Sequence, residues 1–353
     1  MMRFSRESAN NITQHNIHTY PGQPSAKDEM VLHNPSRSYS IIHLSDPHLS
    51  RQFYREHFKA FKILLRSILE RDFDHLIITG DLTSTADEED YFLVREILKN
   101  FGLLDSKKLT VVPGNHDIFG GPHRAIDVLS FPHHIRNVDY RYRFSLFQAA
   151  FRETFEGCYF PHDGLAYPYV KQIGPFAFIG LNSVPPWSLR RNPLGSNGLL
   201  SDEQYEGLES LMDSPVLAQL VPIVGIHHHF NDLSRDAAPT NSVWRKIEAK
   251  TMRLRKRRRT LRLLESLGVK CILHGHIHRN ELYERNGIQC INGAGAVCDD
   301  PIPLLKYNRI RYEHGTTLAE TIVLPIPYQV STTSLPFHRK HHLVSEVAVA
   351  ANS

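Results

Sequence analysis

The chain has few cysteines: four in 353 residues, Cys158, Cys271, Cys290 and Cys298, with no C-x-x-C pairing among them. They lie in or near apolar segments, which argues against a disulfide framework and for buried, reduced thiols in a cytoplasmic protein. No run approaches the roughly 18 apolar residues of a membrane span. The first 30 residues, rich in Asn, Ser, His and Gln, lack the apolar centre of a secretion signal. Charge of either sign is also scarce in excess. The formal net charge of +4 favours anionic small substrates and does not by itself imply nucleic acid. With 41% hydrophobic and 22% charged residues, the composition is that of a globular chain long enough for one large α/β domain with insertions. What is abundant is histidine, at 22 residues, so the informative question is which of them converge.

Residues 1 to about 38 are polar and aperiodic and read as a flexible leader, 39–330 as the folded domain, and 331–353 as a tail with no visible core. Structure begins at the apolar strand Ser40 to Leu44, which runs into Ser45-Asp46-Pro47-His48. The Pro stops the strand and leaves Asp46 and His48 two residues apart at its end. Apolar residues at helical spacing from Phe53 to Arg71 predict a helix of about five turns. The strand His75 to Thr79 is closed by Gly80-Asp81. A second helix is expected from about Asp87 to Leu98, and its first-turn acids Asp87 to Asp90 are explained by the helix dipole rather than by ligation. The strand Leu109 to Val112 then runs into a turn, Pro113-Gly114-Asn115-His116-Asp117. This βαβαβ order places three successive strand ends on one edge, and open α/β sheets bind their ligands there.

Regularity fades between Phe119 and Pro175, apart from an expected helix from Tyr142 to Phe155, and the stretch of about 119–165 reads as a cap inserted over the site. A hairpin follows, Tyr167 to Ile173 and Phe176 to Leu181. Ser201 and Gln204 form a capping box for a helix to Met212. The strand Pro222 to Ile226 delivers His227-His228-His229. Trp244 to Leu267 reads as one long amphipathic helix whose basic residues, Arg253 to Arg262, form a solvated face. The strand Val269 to Leu273 runs into His274-Gly275-His276-Ile277-His278, and short strands are expected at Glu281 to Arg285, Ile288 to Ile291, Arg309 to Glu313 and Thr321 to Leu324.

Asp46, His48, Asp81, Asn115, His227, His276 and His278 therefore collect at strand ends. Seven donors, one of them a carboxylate able to bridge, suit two ions roughly 4 Å apart better than one. Asp81, alone on the middle strand end with both oxygens expected free, is the natural bridge. A hydroxide bridging the ions would be the nucleophile. Imidazole, carboxylate and amide donors without thiolate suit Mn, Fe, Co or Zn rather than Ca or Mg.

The blocks D-x-H (Asp46, His48), G-D (Gly80, Asp81), G-N-H-D (Gly114 to Asp117), a strand running into H-H (His227, His228) and G-H-x-H (Gly275 to His278) occur in an order that resembles the calcineurin-like metallophosphoesterase family, over about residues 40–295. Leu181-Asn182-Ser183 and Gly198-Leu199-Leu200-Ser201 are most similar to its bacterial cyclic-nucleotide phosphodiesterase branch. The resemblance implies a four-layer αββα sandwich of two mixed β-sheets. It implies one ion held by Asp46, His48, Asp81 and His278, the other by Asp81, Asn115, His227 and His276. His116 would contact the phosphate beside Asn115 and protonate the leaving oxygen. His228 is the second choice for His227's position. Some members orient the catalytic imidazole with an Asp three residues after the G-D carboxylate, where this chain has Ser84, so Asp117 and water remain the candidates for that task.

The leading expectation is a dinuclear phosphoesterase acting on a phosphodiester or pyrophosphate. The alternatives are a hydrolase of the UDP-2,3-diacylglucosamine pyrophosphatase type, with which the Phe-rich cap Phe144 to Phe160 and the basic helix near Arg253 to Arg259 are compatible, a nuclease, whose only support is the basic run, and a non-catalytic interaction module on the same fold. Peripheral membrane contact and oligomeric state are left open.

Overall fold

A computed structural model describes residues 38–123, 125–161, 165–231, 252–293, 295–298 and 304–325. Its first sheet is built around β1 (Tyr39–Leu44), whose Ile41, Ile42 and Leu44 are fully buried because both faces are covered. β2 (His75–Ile78) and β3 (Leu109–Val111) follow in parallel, connected by α1 (Arg55–Leu69) and α2 (Glu88–Asn100). On its other side β1 pairs antiparallel with β11 (Leu304–Glu313), matching Ile41 to Ile310. β11 also pairs with β10 (Val297–Cys298) and along its whole length with β12 (Thr316–Pro325). The second sheet runs β4 (Tyr169–Ile173), β5 (Phe176–Gly180), β6 (Val221–Gly225), β7 (Cys271–His274), β9 (Ile288–Asn292), β8 (Leu282–Arg285), parallel in its middle and antiparallel at both edges.

Alternation along β5 shows why there are four layers. Phe176 and Phe178 join the core shared with β1 to β3, whereas Ala177 and Ile179 join a second core with α6 (Asp202–Glu209) and α8 (Arg257–Ser266). A strand with two apolar faces needs a layer on each side. The two sheets are also joined at an edge. The outward carbonyls of Val111 and Leu109 on β3 accept hydrogen bonds from Tyr169 Oη at 3.1 Å and Lys171 Nζ at 3.0 Å, two same-face residues of β4.

The helices form for local reasons. α1 buries Phe61, Leu64, Leu65 and Ile68 on one stripe. Asp87 caps α2 by accepting from Glu89 N–H. Ser201 caps α6 by accepting from Gln204 N–H, but the Gln204 side chain does not reciprocate: it bonds the backbone of Asn182, and the helix ends at Glu209, short of Met212.

Several expectations are corrected. The turn after β3 is a short helix, α3 (Asn115–Phe119). The cap holds α4 (Ala125–Arg136), which interrupted periodicity and an internal Pro132 concealed, then α5 (Tyr140–Ala150) and a 3₁₀ turn (Arg152–Phe155) in place of one helix from Tyr142. The long helix expected from Trp244 is not continuous. Trp244 lies outside the described residues, Leu254 forms a β-bridge with Gly198, and helix starts only at Arg257, after Lys256 in a left-handed conformation. α7 (Pro215–Gln219), a five-residue helix, precedes β6. β11 and β12 are each ten residues, longer than expected. Cys158, Cys271 and Cys290 are buried free thiols. Among the described residues no helix is long and apolar enough to cross a membrane.

Candidate metal centre

Loops following β1, β2, β3, β6 and β7 meet at one edge of the facing sheets. The first two are laced together: Asp46 N–H bonds Gly80 O at 3.0 Å and His48 N–H bonds Asp81 O at 3.0 Å. Such tight turns put ordinary residues into the left-handed region. Asp46, His48, Asp81, His276 and His278 have φ of 55, 46, 51, 77 and 47°. Backbone of this kind costs free energy and persists where the surroundings over-determine it, commonly at functional sites. Glycine makes the approach close enough. A Cβ on Gly114 would lie 2.1 Å from Asp81 Oδ1, and one on Gly275 would lie 2.3 Å from Asp46 Oδ2.

The seven side chains singled out by their place at strand ends fall in one cluster. His48 Nε2 and His278 Nε2 are 2.9 Å apart, His227 Nε2 lies 3.1 Å from Asn115 Oδ1, and His276 Nδ1 lies 3.2 Å from His227 Nε2. Asp81 Oδ2 stands between the two sets, 3.3 Å from His227 Nε2 and 3.7 Å from His48 Nε2. Asp46 Oδ1 is 3.6 Å from His278 Nε2. Groups of ligand atoms fit for an ion are thus Asp46, His48 and His278 on one side, Asp81, His227 and His276 on the other, and His48, Asp81 and His116 between them. Asp46, Asp81 and His227 are buried, whereas the His278 side chain is 51% exposed, so the cluster opens to solvent at that edge.

Asp81 departs from expectation in one respect: its Oδ1 is not free but accepts His116 N–H at 2.8 Å. The same bond fixes the backbone of the imidazole that follows Asn115. The three successive histidines have different partners. His227 donates from Nδ1 to Thr79 O at 2.8 Å, which leaves Nε2 facing the cluster. His228 is turned away, with Nδ1 2.7 Å from Ser183 Oγ and Nε2 3.3 Å from Ser196 O, and His229 Nε2 bonds Met252 O. Asp117 does not reach His116. Its carboxylate accepts from Thr83 N–H and Gly114 N–H at 2.9 Å, and burial and the nearby Asp81 carboxylate push it up to about 7. His116 Nδ1 and Ser84 Oγ are both buried without a hydrogen-bond partner among the described residues. The His116 and His48 rings are nearly perpendicular with centroids 4.6 Å apart, and Gly121 lies against the Cε1 and Nδ1 side of His116.

The electrostatics suit cations. Burial pushes the His227 imidazole down, yet the Asp81 carboxylate outweighs burial and raises it to about 9, whereas burial and neighbouring imidazoles hold His48 and His276 well below the ordinary histidine value. Burial lowers His116 against the pull of Asp81. Imidazole nitrogens and carboxylate oxygens converge here, and the buried His276 Nε2 has no hydrogen-bond partner among the described residues, so the donor set fits transition-metal ions.

Sequence reasoning did not identify the Thr79 carbonyl or Gly121 as parts of the site, because neither carries a functional side chain. Nor does the Phe-rich segment cover it. Phe147, Phe151 and Phe155 are buried in the main core beside Tyr91 and Tyr169, which removes the cue for a lipid-precursor hydrolase.

Comparison with solved structures finds the same fold in a dimetal phosphatase of Danio rerio, at 14% identity, a TM-score of 0.50, and coverage of 83% of this chain and 99% of that one. A phosphopantetheinyl hydrolase of Mycobacterium tuberculosis aligns at 16% identity over 74% of this chain and 91% of its own, with a TM-score of 0.40. A search of curated proteins finds no match. The family model described as calcineurin-like phosphoesterase matches residues 39–280, a span that runs from the first strand to just past the last of the clustered histidines. With that match covering most of the chain and the two mixed sheets placing the motif residues together, the protein belongs to the calcineurin-like phosphoesterase family and is a phosphoesterase hydrolase.

Proposed function

We propose that the chain is a dinuclear metal-dependent hydrolase of phosphodiester or pyrophosphate bonds. The observation that carries this reading is Asp81 Oδ2, a single oxygen within 3.7 Å of a ring nitrogen in each ligand set. One ion would be held by Asp46, His48, Asp81 and His278, the other by Asp81, Asn115, His227 and His276, drawn from Mn, Fe, Zn or Co. When bound, the pair supplies Lewis-acid charge for the phosphoryl oxygens and activates a water for attack on phosphorus.

The chain's own residues do the rest. Asp46 and Asp81 place negative charge beside the ions, and backbone bonds hold both loops so that little reorganisation accompanies binding. Thr79 O fixes the His227 tautomer. Asn115 and His116 would contact the phosphate. His116 has its Nδ1 buried and its backbone tied to Asp81, so Nε2 is the nitrogen that gives a proton to the departing oxygen.

The test compares His116→Gln with the parent on two methyl phosphodiesters, one with an alkyl leaving group and one with nitrophenolate, alongside metal analysis. The variant is expected to keep its metals, lose about 10²- to 10⁴-fold on the alkyl diester and far less on the nitrophenyl one. A parent chain holding two equivalents of metal that hydrolyses neither diester nor a pyrophosphate would overturn the reading.

A further inference from the structure

Behind the ligand cluster, β1, the end of β2 and β11 carry polar side chains where an apolar core is expected. His43, Thr79 and Asn308 are at most 1% exposed. The register explains how they meet. His43 pairs with Asn308 on β11, and Asn308 with Thr321 on β12, so these three share one face of the sheet beside the Ile41 and Ile310 pair. Thr79 continues β2 two residues past Ile77, the partner of His43 on its other side. The β11–β12 hairpin lies beyond residue 280, where the match to the phosphoesterase family ends.

The bonds along this row have determined directions. Thr321 Oγ1 donates to Asn308 Oδ1 at 2.7 Å, which orients the amide. Asn308 Nδ2 then gives one hydrogen to Asn292 O at 2.7 Å, on the facing sheet, and the other to His43 Nδ1 at 3.4 Å. Burial holds the His43 imidazole down to about 3, so the ring is neutral, and with Nδ1 accepting, its one proton sits on Nε2. That nitrogen donates to Thr79 Oγ1 at 2.8 Å. The Thr79 hydroxyl and N–H both turn to Leu44 O, at 3.4 and 3.0 Å. Thr79 is therefore held through side chain and backbone together, and its own carbonyl accepts His227 Nδ1–H at 2.8 Å. A buried network whose members are bonded in series is rigid, and here the rigidity is delivered to a ligand ring.

We infer that His43 and Asn308 are positioning residues for the ion assigned to Asp81, Asn115, His227 and His276: they fix the Thr79 carbonyl, which sets the ring proton and the aim of His227. By the same path the β11–β12 hairpin is part of the metal centre. The inference rests on the two-ion reading and goes beyond it. The last bond of the row falls on a ligand of one ion, so the two ions should respond unequally to its loss.

The experiment titrates the metal-free full chain with Co²⁺ by calorimetry, with His227→Ala and His278→Ala identifying which binding step belongs to which ligand set. His43→Leu and Asn308→Leu should each weaken the His227 step by about tenfold and leave the other within about twofold. His43→Gln, whose amide can place a donor near the Nε2 position, should recover most of the loss. Thr321→Val, at the half-buried far end of the row, tests the path without altering the core and should weaken the same step by about two- to threefold. Ile310→Val, beside the row but outside its bonds, should move neither step. Equal weakening of both steps, no weakening, or the same loss in Ile310→Val overturns the inference. A single step that His227→Ala removes and His43→Leu weakens upholds the row and overturns the two-ion reading; a single step that His227→Ala leaves intact overturns both. Two steps with the expected inequality, in a chain that hydrolyses no diester or pyrophosphate, uphold the row and overturn the hydrolase reading instead.

Discussion

Lys171 offers a prediction whose size follows from the fold. The residue is 5% exposed and its ammonium is bonded to two carbonyls, Leu109 O at 3.0 Å and Thr154 O at 2.9 Å, rather than to a carboxylate. Burial pulls it down to about 8, from 10.5 for a free lysine, against the weaker upward pull of Cys158, Asp105 and Glu156. That difference corresponds to about 3 kcal/mol against the charged form in the folded state. Below pH 8 the side chain is charged both folded and unfolded, and the whole penalty is present. Between pH 8 and 10.5 the unfolded chain holds a proton that the folded chain has released, so stability rises with pH by up to about 3 kcal/mol from this group alone. Lys171→Met removes the titration but leaves two buried carbonyls short of a donor, at roughly 1–3 kcal/mol each. Near pH 7 these effects largely offset, and the variant should be at most about 3 kcal/mol less stable. Towards pH 10 the deficit should widen by about 3 kcal/mol as the parent gains. Urea unfolding of both proteins by circular dichroism from pH 7 to 10 measures the gap. A gap that stays constant across that range would show that the ammonium is not penalised by burial, and the reasoning would fail.

Three other outcomes are expected. Asp81→Asn should lose much of the bound metal and about a hundredfold or more in turnover, and metal analysis showing two equivalents with normal rates would refute the bridging role. Gly114→Ala, whose new methyl would collide with Asp81 Oδ1, should likewise lose metal and activity while its far-ultraviolet spectrum is unchanged; an active, metal-replete variant would mean that Asp81 has room to move. Arg258→Gln with Arg262→Gln removes two exposed cations of α8, so turnover of a small diester should stay within about twofold; a steep salt dependence of nucleic-acid binding that these changes abolish would favour a nuclease.

What the sequence discloses here tracks how local each determinant is. The β1 to β3 unit was legible because each strand is a short apolar run and each helix has its own stripe and cap, none of which depends on distant residues. The cluster of side chains is legible because parallel strands force their ends to one edge. By contrast, the choice among His227, His228 and His229 depends on Thr79, Ser183 and Met252, which lie 148, 45 and 23 residues away in sequence. The helix expected from Trp244 failed for a similar reason. Leu254 has the right residue type, but Arg255 N–H bonds Gly198 O, and a strand-like contact with a distant loop overrides helix propensity in that segment.

The least legible feature is also the one that couples fold to chemistry. Asp46, His48, Asp81, His276 and His278 adopt left-handed backbone without being glycine, and although Asp and His tolerate it better than most residues, their identity alone does not announce it. Each such residue carries a penalty of about 1 kcal/mol or more, a sizeable total beside the marginal stability of a domain. The turns hold because the strands before them are locked in sheets on both sides and because Asp46 N–H, His48 N–H and Gly275 N–H are bonded across to neighbouring loops. In that conformation the carboxylates and imidazoles project from the sheet edge into a common space rather than alternating up and down as they would along a continuing strand. The apolar strands therefore do more than fill a core: their rigidity keeps strained turns in place, and the strained turns of three loops bring Asp46, His48, Asp81, His276 and His278 into one cluster.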